Sequence, residues 1–198
     1  MSDAVDALLA GEPVILPTDT VYGLCAAAHE AEPTQRLYAL KGRDASQPSA
    51  LLAADLEMLL ECIPELRGRA ELIARALLPG PYTLILPNPA RRYRWITGGN
   101  PTAIGIRVVD LPDPTDRVVS HVGCVVATSA NLPGEPEPRR VADVPEQLRA
   151  AVGAIVDVGE LPGRASTVLD FTSPEPRVLR EGAGPVREAL ERASQALA

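Results

Sequence analysis

Short apolar runs broken by polar punctuation organise this chain, and their spacing switches between a strand-like and a helical period. Val5, Leu8 and Leu9 share one face of a first amphipathic helix, and Val14-Ile15-Leu16 reads as a buried strand that Pro17 stops. Thr34 is the expected cap of a second helix carrying Leu37 and Leu40, which leaves through Lys41-Gly42-Arg43. A strand over 49–53 precedes a helix that Asp55 introduces and Pro64 limits. The pattern over 69–78 predicts another helix, with Leu72, Ile73, Ala76 and Leu77 as its apolar surface.

Pro79-Gly80-Pro81 punctuates the chain before a strand over 82–86. Strands at 103–109 and 124–128 flank a helix over 114–121. Asp143 and Glu146 have capping-box spacing, which predicts a helix over 143–152. Strands at 154–158, 166–171 and 177–179 follow, the last two able to form an antiparallel hairpin. Pro185 opens a final helix in which Val186, Leu190 and Leu197 can pack. Strands with intervening helices predict an α/β fold around a sizeable sheet.

With 198 residues the expectation is one domain over 1–198, in which 131–140, rich in proline and charge, forms an exposed loop. The 46% of hydrophobic residues are spread along the chain, without a membrane-length run or a basic leader before an apolar core. Cys25, Cys62 and Cys124 are widely spaced and odd in number, which fits a reduced, cytoplasmic setting. The formal charge of -7, from 26 acidic and 19 basic side chains, disfavours nonspecific attraction to nucleic acid. Arg91-Arg92-Tyr93-Arg94 reads as solvated loop surface or as a local anion or RNA contact.

Pro17-Thr18-Asp19-Thr20-Val21-Tyr22-Gly23-Leu24 is a polar island between buried residues, readable as a capped turn or as a small-molecule site. Lys41 and Arg43 place a point charge and a planar fork at one helix exit, a pattern suited to phosphate or carboxylate. Arg107 interrupts an apolar strand and calls for a ligand anion, a buried ion pair or an exposed edge. Ser129 and Asn131 follow the 124–127 run and suit either a strand-end turn or nucleotide recognition. Ser166-Thr167 and Arg180-Glu181-Gly182 give another polar strand edge and charged exit. His29 and His121 lack metal-site spacing, so no resident metal is expected, and Cys25 reads as core packing or, without a paired histidine in view, as a nucleophile.

Taken in order, these landmarks resemble the YrdC-like threonylcarbamoyl-adenylate synthase family. The resemblance also rests on Pro79-Gly80-Pro81-Tyr82-Thr83-Leu84, Gly105-Ile106-Arg107-Val108, Ser166-Thr167-Val168 with Asp170, and Leu179-Arg180-Glu181-Gly182. It implies a twisted α/β sheet with a concave, positively charged cavity, and an activity that joins L-threonine, bicarbonate or CO2, and ATP. The products it implies are threonylcarbamoyl-adenylate and pyrophosphate, used to modify adenosine 37 of certain tRNAs with help from partner proteins of that pathway. By position Lys41 and Arg43 resemble the basic pair facing phosphate, Thr20 a threonine contact, and Ser129, Asn131 and Arg180 nucleotide-site residues. Arg107 resembles a support of the same cavity, and Mg2+ is expected to arrive with ATP. The longer family form has an additional C-terminal domain that is not expected here. Gln47-Pro48 stands where many members have Lys-Pro, Pro133 interrupts the SANxSG pattern, and Ala165 replaces a common proline. A nonenzymatic, RNA-binding or regulatory relative is the competing expectation.

Overall fold

The computed structural model describes residues 2–198. Helix α1 (Ser2–Leu9) leads into strands β1 (Val14–Pro17) and β2 (Tyr22–Ala27). Helix α2 (Ala31–Lys41), strand β3 (Ala50–Ala53), and helices α3 (Leu56–Cys62) and α4 (Arg69–Leu77) follow. Next come β4 (Tyr82–Pro87), β5 (Ala103–Val108), α5 (Asp113–Val122) and β6 (Val125–Ser129). The chain continues through α6 (Glu146–Arg149), β7 (Ala154–Ile155), β8 (Thr167–Asp170), β9 (Arg177–Arg180) and α7 (Val186–Ala196).

All nine strands join one sheet in the order β7-β1-β2-β6-β3-β5-β4-β8-β9. Its pairing is mixed: β1–β7, β3–β5 and β4–β8 run parallel, and the other neighbours run antiparallel. The β8–β9 pair realises the expected hairpin, with a register shift at Val168/Leu169.

Strand alternation divides the core between the two faces. Ile104, Ile106 and Val108 of β5 and Tyr82, Leu84 and Leu86 of β4 bury against α4 and α7 through Ile73, Leu77, Ala189 and Ala193. On the opposite face Val14, Leu52 and Val125 pack with Ala4 and Leu8 of α1 and Val118 and Val119 of α5. That second face is not filled to its end. Ala127, Ala50, Gly105, Ile85, Asp170 and Arg177 form one cross-strand row from β6 to β9. Three small residues in this row leave a hollow over the middle of the sheet, and all six line it.

Several local expectations change in the folded chain. Strand β2 escapes the apolar pattern because Gly23 and its alanines have weak strand propensity, and it is held by pairing on both sides. Glu30, not Thr34, stands at the N-cap of α2; Thr34 lies fully buried inside the helix. Ile73 and Leu77 bury as expected, whereas Leu72 is 46% exposed and Leu197 40% exposed, and Ala74, Ala189 and Ala193 complete the buried helix faces. Asp143 caps no long helix. Its carboxylate accepts from the Arg139 and Arg140 N–H groups, ending a short 3-10 turn before Pro145 and the four-residue α6. Asp55, by contrast, caps α3 as expected, accepting from Met58 N at 2.8 Å.

Candidate active site

The hollow is a cavity of about 420 Å3 whose walls come from both ends of the chain. The Thr18-to-Gly23 turn forms one wall, and it is at once a capped turn and a site wall. Thr18 Oγ1 donates to Val21 O at 2.8 Å and lies 3.1 Å from Thr20 Oγ1, locking the β1–β2 hairpin. Thr18, Thr20, Val21 and Gly23 then face the cavity.

Arg107 reaches the same wall from β5. Its Nη2 donates to Asp19 Oδ1 at 2.8 Å and lies 3.5 Å from Thr20 Oγ1. Both members of the ion pair are largely withdrawn from water, with side-chain exposures of 12% and 15%. Burial pushes the Asp19 carboxyl up, and the Arg107 guanidinium opposes that shift. Burial lowers Arg107, although a guanidinium keeps its charge at any physiological pH. Arg107 Nε is buried without a hydrogen-bond partner.

The second wall starts where α2 ends. Gly42 adopts the left-handed conformation, φ 63°, and its N–H closes the helix onto Ala39 O. The turn leaves Lys41 on the helix and sends Arg43 into the cavity. Arg43 Nη2 donates to Pro48 O at 2.5 Å, Nη1 lies 3.4 Å from Thr128 Oγ1, and its Nε is a second buried donor without a partner. Lys41 is buried, and its Nζ donates to Ser129 O and to Asn131 Oδ1. Burial first, and Arg43 second, bring the Lys41 ammonium down to about 8. Among the described residues neither Lys41 nor Arg43 ion-pairs with a carboxylate within 4.0 Å.

A third wall joins the C-terminal hairpin to β4. Arg180 Nε donates to Ser166 O at 3.0 Å and Nη2 to Ser166 Oγ at 3.1 Å, while Ser166 Oγ meets Thr83 Oγ1 at 2.8 Å. Gly182 is required here, because a Cβ would come within 2.3 Å of Ala165 O. The Arg180 guanidinium also faces Glu137, Nη1 to Oε1 3.8 Å, across the cavity.

The expected site residues therefore divide into two groups. Thr20, Arg43, Arg107, Ser129 and Arg180 line the cavity together, whereas Lys41 and Asn131 stand behind the Ser129 wall. Lys41 thus does not project into the cavity as its motif implied; the carbonyl and amide oxygens of Ser129 and Asn131 hold it inward. Asn131 in turn accepts from Ser129 Oγ at 2.6 Å and donates from Nδ2 to Glu135 O at 2.6 Å, pinning the 131–140 loop. Glu137 was not visible as a site residue, because nothing in a Pro-Glu-Pro run says which way its carboxylate points. Cys25 is fully buried, and burial pushes its thiol up to about 12, which suits packing rather than nucleophilic attack. Arg92 lies outside the cavity, paired with Glu65. Among the described residues no group of three His, Cys, Asp or Glu side chains is placed to hold a metal ion, and no helix is long and apolar enough to cross a membrane.

Such a cavity suits a dense anion. Its cationic donors come from three separate walls, two of them retain a buried N–H without a partner, and the surrounding hydroxyls can orient oxygens.

Comparison with known proteins matches residues 6–182 to the Sua5_yciO_yrdC family model, described as telomere recombination. A threonylcarbamoyl-AMP synthase of Pyrococcus abyssi is 34% identical over 187 residues, covering 90% of this chain and 52% of that protein. One from Stenotrophomonas maltophilia is 36% identical over 171 residues, covering 83% of this chain and 89% of that protein. The crystal structure of P. abyssi Sua5 complexed with L-threonine superimposes with a TM-score of 0.84 at 32% identity, covering 96% of this chain and 56% of that one. The chain thus spans about half the length of the P. abyssi relative and most of the S. maltophilia one.

Proposed function

Because the chain belongs to the Sua5/YciO/YrdC family, we propose that its cavity condenses L-threonine, bicarbonate or CO2, and ATP into threonylcarbamoyl-adenylate and pyrophosphate, for modification of tRNA adenosine 37. The observation that carries this reading is the convergence of the Arg43, Arg107 and Arg180 side chains, with the Thr20 and Ser129 hydroxyls, on one cavity. Several cations around one hollow suit a ligand set that carries both a carboxylate and a polyphosphate. The relatives' activity supplies that combination.

In this reading the threonine amine captures the one-carbon species as a carbamate. A carbamate oxygen then attacks the α-phosphorus of ATP, and the bond to the β,γ-diphosphate breaks, releasing pyrophosphate. Arg107, fixed by Asp19, holds the threonine carboxylate, and the Thr20 hydroxyl orients the amino acid. Arg43 counters charge on the phosphates, with the Ser129 hydroxyl and Arg180 as further contacts. Lys41 acts from behind, holding Ser129 and Asn131 in place and adding a positive field. Mg2+ bound to ATP would neutralise part of the polyphosphate charge. The cationic donors fit the phosphate oxygens rather than the metal, and among the described residues no group of three His, Cys, Asp or Glu side chains could cage it, so phosphate oxygens and water would hold it. The test is release of pyrophosphate from ATP·Mg2+; release that requires neither threonine nor bicarbonate would contradict the reading.

Lys41 gives this reading a pH signature. As pH rises through about 8 the buried ammonium loses its proton, so kcat/KM is expected to fall about tenfold per pH unit on the alkaline side. Stability should move the other way on account of this group. The unfolded chain binds the lysine proton more strongly between pH 8 and 10.5, so Lys41's unfavourable contribution is relieved as pH rises through that window. A pH–rate profile flat to pH 10 would remove Lys41 from the account.

Glu137 offers a second check. Its carboxylate faces Arg180 inside a site meant for anions, so Glu137→Gln is expected to tighten ATP or pyrophosphate binding about 2–5-fold by calorimetry. A weaker complex would instead make Glu137 a contributor to binding.

A further inference from the structure

On the far side of the sheet from the cavity, Cys62 closes α3 and Cys124 stands immediately before β6, their Sγ atoms 2.6 Å apart. The two sit at the edge of the core formed by α3, α4 and β4 to β6, whereas Cys25 belongs to the other core. Their backbones are held independently of the sulfurs. Cys124 O accepts from Ala28 N at 3.2 Å, and Cys62 O accepts from the Tyr93 hydroxyl at 3.4 Å. Their exposures differ: Cys124 is fully buried, and Cys62 is only partly covered. The contact with Cys124 lowers the Cys62 thiol, while the same contact and burial raise Cys124. A partly exposed sulfur therefore lies against a buried partner sulfur, already nearer than two unbonded sulfurs usually approach.

We propose that Cys62 and Cys124 form an oxidative modification site, in which Cys62 reacts with a small disulfide and Cys124 resolves the adduct into an intramolecular disulfide. With oxidised glutathione, the Cys62 thiolate attacks one glutathione sulfur, a mixed disulfide forms and one glutathione thiolate leaves. The Cys124 thiol then attacks Cys62 Sγ, loses its proton to solvent, and expels the second glutathione as a thiolate. Two protein thiols are oxidised and one small disulfide is reduced, which balances atoms and electrons. The resulting bond would tie the end of α3 to the start of the strand that carries Thr128 and Ser129, across 62 positions of chain.

The test treats the whole protein with oxidised glutathione and counts thiols under denaturing conditions. The count is expected to fall from three to one. Peptide mapping should find Cys62 joined to Cys124, and the melting temperature should rise by roughly 5–15 °C, reversibly with dithiothreitol. Cys124→Ser should stop at a glutathione adduct on Cys62, and Cys62→Ser should keep both remaining thiols. Three thiols persisting after treatment, a stable Cys62 adduct in the unaltered chain, or a crosslink that includes Cys25 would each overturn the proposal.

Discussion

Arg107→Ala is expected to lower turnover at least about 100-fold and stability by about 2–3 kcal/mol, two losses with different causes. The turnover loss follows from removing the β5 guanidinium that reaches Asp19 and Thr20 on the Thr18-to-Gly23 wall. The stability loss follows from leaving Asp19 without its ion-pair partner in a poorly solvated turn. It falls below the usual cost of breaking a fully buried pair because the Asp19 carboxyl is already raised by burial and can take a proton instead. A carboxyl raised in the folded state destabilises it above its folded pKa, and the penalty is relieved as pH falls through that value. The stability loss of the variant should therefore shrink as pH is lowered. Adding Asp19→Asn should restore most of the stability and none of the turnover. Chemical denaturation and steady-state rates on the two variants check this; recovery of turnover in the double variant would make Arg107 only a structural partner of Asp19.

Lys41 and Arg43 should separate in kinetics although they stand two residues apart. Arg43→Ala removes a guanidinium charge that lines the cavity, so KM for ATP is expected to rise about 10–100-fold. Lys41→Ala acts through Ser129 and Asn131, which lose the ammonium holding them, and kcat should fall about 100-fold. The Ser129 carbonyl loses the ammonium as a donor, which adds about 1 kcal/mol of instability, while Asn131 Oδ1 keeps the Ser129 hydroxyl. Arg92→Ala is the control: it breaks an exposed pair with Glu65 and should leave kcat and KM within about twofold. Equal losses in all three folded variants would contradict the division between lining, supporting and remote cations.

Much of this arrangement was legible in the chain because strand alternation is a strong constraint. In Ala103-Ile104-Gly105-Ile106-Arg107-Val108 the apolar residues fall on one face, which forces Arg107 onto the face of Ala103 and Gly105. The hairpin at 166–179 and the Asp55 cap were legible for similarly local reasons. What depended on distant partners was not. Strand β2 exists because β1 and β6 flank it, and neither Gly23 nor the alanines announce that. The inward turn of Lys41 is set by acceptors 88 and 90 positions away, and the Cys62–Cys124 contact by packing across 62 positions. Spacing could identify Lys41-Gly42-Arg43 as one motif, but only the folded wall assigns its two cations different positions.

The most direct test of the central claim is mass spectrometry of the reaction with ATP·Mg2+, L-threonine and 13C-bicarbonate. Threonylcarbamoyl-adenylate carrying the label in its carbamoyl carbon, absent when threonine is omitted, is the result this account requires. An unlabelled or threonine-independent adenylate, or no adenylate from folded protein that binds ATP, would contradict it.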